Sequence, residues 1–152
     1  MEVVTFAAGC FWGVQYKFSK IKGVLKTVVG YTGGTVVDPT YEEVCTGETN
    51  HAEAVQIYYD ENIISFKNLL AVFWSIHDPT SLNKQGPDEG TQYRSAIFCH
   101  NELQLKEALE SKKQLELSGQ LKKPIVTEIV PFSNFYKAEE YHQDYFRKKG
   151  ID

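Results

Sequence analysis

Val3-Val4-Thr5-Phe6-Ala7-Ala8-Gly9-Cys10-Phe11-Trp12-Gly13 runs from an apolar stretch, through one glycine, into a cysteine followed by two aromatic rings. Residues 2–8 read as a buried strand and residues 11–20 as a helix, which puts Cys10 at a strand-to-helix junction. A thiol at the first turn of a helix faces unpaired backbone N–H groups and the positive end of the helix dipole, and both favour thiolate. Phe11 and Trp12 offer an apolar wall on which a small uncharged group can rest. The position alone leaves two readings open, a reactive thiol or a small buried hydrophobe.

Outward from this junction, strand and helix patterns interleave. Residues 24–31 alternate, with Leu25, Thr27, Val29 and Tyr31 on one face, and Gly33-Gly34 ends the strand. Asp38-Pro39-Thr40 opens a short helix from Tyr41 to Cys45. A strand over 53–60 follows, then a helix capped by Ser65 in which Phe66, Leu69, Leu70 and Phe73 recur at helical spacing. A polar loop runs from Thr80 to Gln92, a length typical of functional or disordered segments. Residues 93–100 resume a strand, and residues 102–118 make a helix with Leu105, Ala108 and Leu109 inward. Residues 125–130 add a strand, and Ala138 to Lys149 a last helix. With no repeats or linkers, this pattern implies one layered structure of helices and strands, a single domain over residues 1–152.

The chain of 152 residues is long enough to bury a proper core, and 42% hydrophobic with 24% charged residues is an ordinary soluble composition. A net charge of −4 argues against nucleic acid as a partner, and Arg147-Lys148-Lys149 suits a helix C-terminus better than a basic patch. The first residues lack a signal peptide's basic region and apolar run, and no stretch reaches membrane-spanning length. Three widely spaced cysteines form neither a disulfide framework nor a zinc site, so a reducing cytoplasm is the expected location.

Two further places carry chemistry. Alternation in the strand after Ala52 puts Glu53 on the face of Val55, Ile57 and Tyr59. If it is buried there without a cation, its carboxyl keeps a proton near neutral pH and can act as a general acid; a strand starting at Ala54 would instead leave it in solvent. In the long loop Asp88 sits between Gly86 and Gly90, where the backbone bends sharply, and Tyr41 and Tyr93 each adjoin turns from which a phenol can enter a cleft. His51-Ala52-Glu53 matches half of a zinc deaminase signature, but the partner P-C-x-x-C half is missing, and we expect no metal.

Taken together these segments resemble the A-type peptide methionine sulfoxide reductases. Gly9-Cys10-Phe11-Trp12-Gly13 is similar to that family's nucleophile motif. Gly30-Tyr31-Thr32-Gly33-Gly34, Pro39-Thr40-Tyr41, Val44-Cys45 and His51-Ala52-Glu53-Ala54-Val55 follow in the family's order. So do His77-Asp78-Pro79-Thr80, Asp88 with Gly90, Gln92-Tyr93-Arg94-Ser95, and Ala138-Glu139-Glu140-Tyr141-His142-Gln143. The resemblance implies an α+β fold, a two-layer domain with a ferredoxin-like mixed sheet core. It implies reduction of the S epimer of methionine sulfoxide, free or in proteins, as oxidative-damage repair without metal or organic cofactor. By motif, Cys10 is the nucleophile, Phe11 and Trp12 cradle the methyl group, and Glu53 donates the proton. Tyr41 and Tyr93 bind the sulfoxide oxygen, and Asp88 orients the substrate.

Two departures stand out. Asn50 replaces the family's usual glycine before His-Ala-Glu, a position where asparagine tolerates a left-handed backbone. Many relatives carry recycling cysteines after the last helix, whereas this sequence closes at Gly150-Ile151-Asp152. Reduction would leave the oxygen on Cys10 as a sulfenic acid with Cys45, Cys99 or an outside thiol to resolve it, and we expect a glutaredoxin, glutathione or thioredoxin thiol to attack it directly, in a protein acting as a monomer. Two other functions compete: a cysteine hydrolase or acyl transferase pairing Cys10 with His51 or His142, and a redox-sensing module without turnover.

Overall fold

A computed structural model describes residues 1–150; residues 151 and 152, which close the expected domain, lie outside the described residues. The first half runs β1 (Glu2–Ala8), α1 (Phe11–Ser19), β2 (Val24–Thr32), α2 (Tyr41–Cys45), β3 (Ala52–Tyr59) and α3 (Phe66–Ser75). The second half runs β4 (Lys84–Gln85), β5 (Asp88–Glu89), β6 (Ser95–Cys99), α4 (Glu102–Leu117), β7 (Glu128–Pro131), β8 (Phe135–Lys137) and α5 (Tyr145–Lys148). One-turn 3₁₀ helices occupy Thr91–Tyr93 and Glu140–His142. No helix among the described residues is long and apolar enough to cross a membrane.

Six strands form a mixed sheet in the order β7-β6-β1-β3-β2-β8, antiparallel except for the β6–β7 pair. The inner four, β6-β1-β3-β2, with α1 and α3 as crossovers, make the expected ferredoxin-like α+β core. Phe18 of α1 and Phe73 of α3 meet on Phe6 of β1, at ring separations of 5.4 and 4.8 Å. Both helices therefore cover one face of the sheet, and Leu69, Leu70, Val55 and Ile57 fill that layer with no exposure. On the opposite face Ala7, Ala52, Ala54, Ala96 and Phe98 form a second cluster under Phe132 and Phe135. Strands covered on both faces lose the simple alternation that reveals orientation.

Local chemistry explains most boundaries. Ser65 accepts a hydrogen bond from Asn68 N–H to start α3, and Thr40 with Glu43 forms a reciprocal capping box at α2. Asn50 takes the expected left-handed backbone at φ 60°. Elsewhere the structure corrects the sequence reading. Leu25 is 56% exposed, because the β2–β3 register shifts between Val24 and Lys26 and breaks the alternation there. Leu109 points outward, and α4 instead buries Gln104, which bonds the Val3 carbonyl.

The Thr80–Gln92 segment is built rather than formless: β4 and β5 pair across Gly86-Pro87, and Gln85 clasps both backbone groups of Asp78. The strand expected over 93–100 starts at Ser95, and that expected over 125–130 starts at Glu128. The long last helix does not exist. Residues 135–137 pair with β2 as β8, and Asp144, at φ 54°, separates the 3₁₀ turn from α5.

Gly30 shows why β8 fits. A Cβ there would lie 2.4 Å from the Phe135 ring and 2.5 Å from the Tyr136 carbonyl oxygen. We expect Gly30→Ala to cost about 1–3 kcal/mol by overpacking, read by urea unfolding. Amide exchange across 135–137 should accelerate; unchanged exchange would mean that β8 is held from elsewhere.

Candidate active site

Strand register gathers the site. Phe6 pairs with Val55 in the antiparallel β1–β3 ladder, so Glu53 falls level with Ala8, where β1 ends and the chain turns towards α1. Ala8 also pairs with Ser95, which brings Tyr93 to the same end of the sheet, and Tyr31 of β2 pairs with Glu53. Gly9, at φ 97° with Gln85 against its α-carbon, makes the bend that turns Cys10 into the N-cap of α1.

Glu53 is 1% exposed, so the strand does begin before it. Its Oε1 accepts a hydrogen bond from the Phe11 backbone N–H at 3.2 Å, at the first turn of α1. Its Oε2 is fully buried and has no hydrogen-bond partner among the described residues. Burial, aided by the nearby Asp88 charge, pushes the carboxyl up to about 8 despite the Phe11 N–H. Glu53 is therefore a neutral acid at physiological pH with one oxygen uncommitted.

Cys10 corrects the expectation of a ready thiolate. The Trp12 and Gly13 N–H groups do reach it and favour the anion, but burial and the Glu53 charge outweigh them and push the thiol up to about 11. Asp88 adds to the repulsion. Burial also lifts the phenols of Tyr41 and Tyr93 above the ordinary range, with the Glu53 charge contributing to both. Tyr93 feels Cys10, Cys45 and Asp88 as well, so the expected polar residues lie near one another. The Cys10 thiol and the Tyr41 and Tyr93 phenols therefore rest protonated at neutral pH.

The aromatic wall is pinned from the C-terminal segment. Trp12 Nε1–H donates to Nδ1 of His142 at 2.9 Å, and its ring stacks on Tyr145 at 3.8 Å. Phe11 is 1% exposed and lies between Tyr31, Tyr41 and His142. Glu139 bonds the Tyr31 hydroxyl and the Tyr41 backbone N–H. Sequence reasoning missed Glu139, His142 and Tyr31 as site supports. Their block was visible as a motif, but a continuous helix there gave no reason for it to face Trp12.

The other motifs are scaffolding. His51 accepts from Gly34 N–H at 3.0 Å and bonds the Val36 carbonyl at 2.7 Å, which commits both ring nitrogens to the loop before α2. His142 accepts from Trp12, so neither histidine is the partner base that a cysteine hydrolase would require. Buried Arg94 binds Glu128 at 2.9 Å and the Thr91 carbonyl at 3.0 Å, anchoring the Tyr93 turn to β7. Among the other cysteines, Cys99 is 4% exposed in the core and Cys45 is exposed at the end of α2.

The family model for peptide methionine sulfoxide reductase matches residues 2–151. Over 151 residues the chain is 61% identical to the peptide methionine sulfoxide reductase MsrA of Methanosarcina acetivorans, covering 99% of this chain and 80% of that protein. Among solved structures, reduced Mxr1 from Saccharomyces cerevisiae superposes with a TM-score of 0.91 at 39% identity, covering 99% of this chain and 87% of that one. Mxr1 in complex with Trx2 matches with a TM-score of 0.67 at 30% identity, over 95% and 84% of the two chains. The chain belongs to the peptide methionine sulfoxide reductase family.

A carboxyl whose folded pKa is raised contributes fully below its unfolded value and loses that contribution as pH climbs towards the folded one, here about 8. We expect Glu53→Gln, which cannot ionise, to gain stability on the parent between pH 5 and 8, by roughly a few kcal/mol in urea unfolding. Alkylation of Cys10 should shift to lower pH in the same variant, because a neighbouring negative charge is gone. A constant stability difference across that range would place Glu53 in solvent.

Proposed function

We propose that this family member reduces methionine S-sulfoxide, free or in proteins, with Cys10 as nucleophile and Glu53 as proton donor. The observation that carries this reading is the buried, neutral Glu53 carboxyl beside the first turn of the cysteine's helix, with Oε2 unpaired among the described residues. A sulfoxide is a polar S–O group bearing a methyl group, and it needs an apolar wall and proton donors on opposite sides. Phe11 and Trp12 supply the wall; Glu53, Tyr41 and Tyr93 supply the donors; Asp88 orients the rest of the substrate.

The reaction balances without an added cofactor. The Cys10 sulfur attacks the sulfoxide sulfur while the Glu53 proton moves to the oxygen, which can leave sulfur only as its charge is neutralised. As the substrate's S–O bond and the transient S–S bond to Cys10 break, the oxygen ends on Cys10 as sulfenic acid, methionine departs with the electron pair of the S–S bond, and the thiol's proton restores the neutral Glu53. An external thiol then attacks the sulfenic sulfur, releasing water and forming a mixed disulfide, and a second thiol resolves it. The yeast relative solved with Trx2 supports a thioredoxin-class reductant, and glutaredoxin or glutathione would act by the same chemistry. Cys99 is buried in the core, away from such an exchange. In this reading the protein works as a cytoplasmic monomer.

Intact mass after one turnover, without reductant, tests the cycle. We expect one added oxygen on Cys10 and one methionine released per chain; loss of two hydrogens instead would make Cys45 or Cys99 an internal resolving thiol. Glu53→Gln should slow methionine release in the same assay by about 100-fold or more. An unchanged rate would move the proton donor to Tyr41, Tyr93 or water.

A further inference from the structure

Tyr41, taken above as a donor to the sulfoxide oxygen, is the first residue of a five-residue helix that follows the loop after β2. A helix that short has little stability of its own, so external contacts decide where its side chains point. Thr40 and Glu43 cap it locally, and Val44 is fully buried beneath it. Glu139 ties it to the sheet from outside. Carboxylate Oε2 accepts the Tyr41 backbone N–H at 2.9 Å, and Oε1 accepts the hydroxyl of Tyr31 at 2.8 Å. Tyr31 has no exposure and is register-paired with Glu53, so it is a fixed point beside the proton donor.

We infer that Glu139 is a positioning residue for the reduction: by bridging Tyr31 and the start of α2 on its two oxygens, it sets where the Tyr41 hydroxyl lies in the site. This rests on the reading of Tyr41 as a donor. A carboxylate suits the task because both groups facing it are donors and it offers only acceptors. Burial opposes its charge, but the Tyr41 N–H, its own backbone N–H and the Tyr31 hydroxyl, with the nearby His142, together outweigh burial and hold the carboxyl below its ordinary range. The clamp acts on the bond-breaking step through Tyr41, because misplacing a catalytic group by an ångström is enough to slow chemistry while substrate binding is kept.

Single-turnover methionine release at saturating methionine S-sulfoxide provides the test. Glu139→Leu, which removes both acceptors, should slow release by about tenfold while the half-saturating concentration changes by less than about twofold. Glu139→Gln should recover most of the rate, since its oxygen can accept from Tyr41 N–H while its amide donates to a rotated Tyr31 hydroxyl. In a Tyr41→Phe background, Glu139→Leu should cost no more than about twofold further.

Full additivity of the two losses, or a parental rate in Glu139→Leu, would overturn the inference while leaving the donor role of Tyr41 intact. A parental rate in Tyr41→Phe would remove the donor role itself and the positioning role with it. Should Glu139→Leu not fold, Glu139→Asp, one methylene too short to reach both donors, replaces it under the same criteria.

Discussion

The hydrogen bond from the Phe11 backbone N–H to Glu53 joins the two halves of the proposed chemistry. It exists because antiparallel pairing sets the start of β3 beside the end of β1, and because the chain turns into a helix there. One consequence is geometric: an acid and a thiol from different elements meet at the first turn of α1. The other is electrostatic. Burial leaves this carboxyl neutral at rest, and it stands close enough to the cysteine to raise that thiol when ionised. The N–H that reaches Glu53 is one of the orphan donors of a helix start, so the helix satisfies itself by binding its own reaction partner.

A second constraint comes from the segment that fails to be a helix. Had Ala138 to Lys149 remained helical, its side chains would have spread around a cylinder. Strand β8, the 3₁₀ turn and the left-handed Asp144 instead send Glu139, His142 and Gln143 into the protein. Gln143 pairs with both backbone groups of Val29, while His142 holds Trp12 and Glu139 holds Tyr31 and Tyr41. A segment short on apolar burial is thus docked by directional bonds, and the aromatic wall inherits its position from them.

This division explains what the sequence made legible. Helix α3 was readable because Ser65 caps it and its apolar residues recur at one period, and α2 was readable from Pro39-Thr40. Glu53 stood out as a carboxylate in register with an apolar face, a signal that survives because β3 is regular through that stretch. Leu25 misled because a register shift leaves no trace in residue type. The β4–β5 hairpin was hidden because its two-residue strands are too short to show any period. Glu139 and His142 were hidden for a different reason: their roles depend on contacts across about a hundred residues or more of chain, which no local pattern encodes.

The order of the two proton affinities also bears on how the site avoids damage while handling oxidised substrates. With Glu53 neutral below about 8 and Cys10 a thiol below about 11, neither the sulfur nor the Glu53 carboxyl rests as an anion at neutral pH, so oxidants meet no thiolate there. A thiol of that kind is a poor nucleophile until a substrate changes its surroundings. In the proposed reaction a bound sulfoxide does so, because hydrogen bonding to its oxygen withdraws electrons from sulfur and places a partial positive charge beside Cys10. That charge favours thiolate where the protein alone does not. In the proposed reaction the Glu53 carboxyl, which opposes the thiolate when ionised, is the group that polarises the sulfoxide when neutral. On that proposal nucleophile activation and leaving-oxygen protonation are one event, in which the helix N-terminus that does not ionise Cys10 alone takes part once substrate is bound.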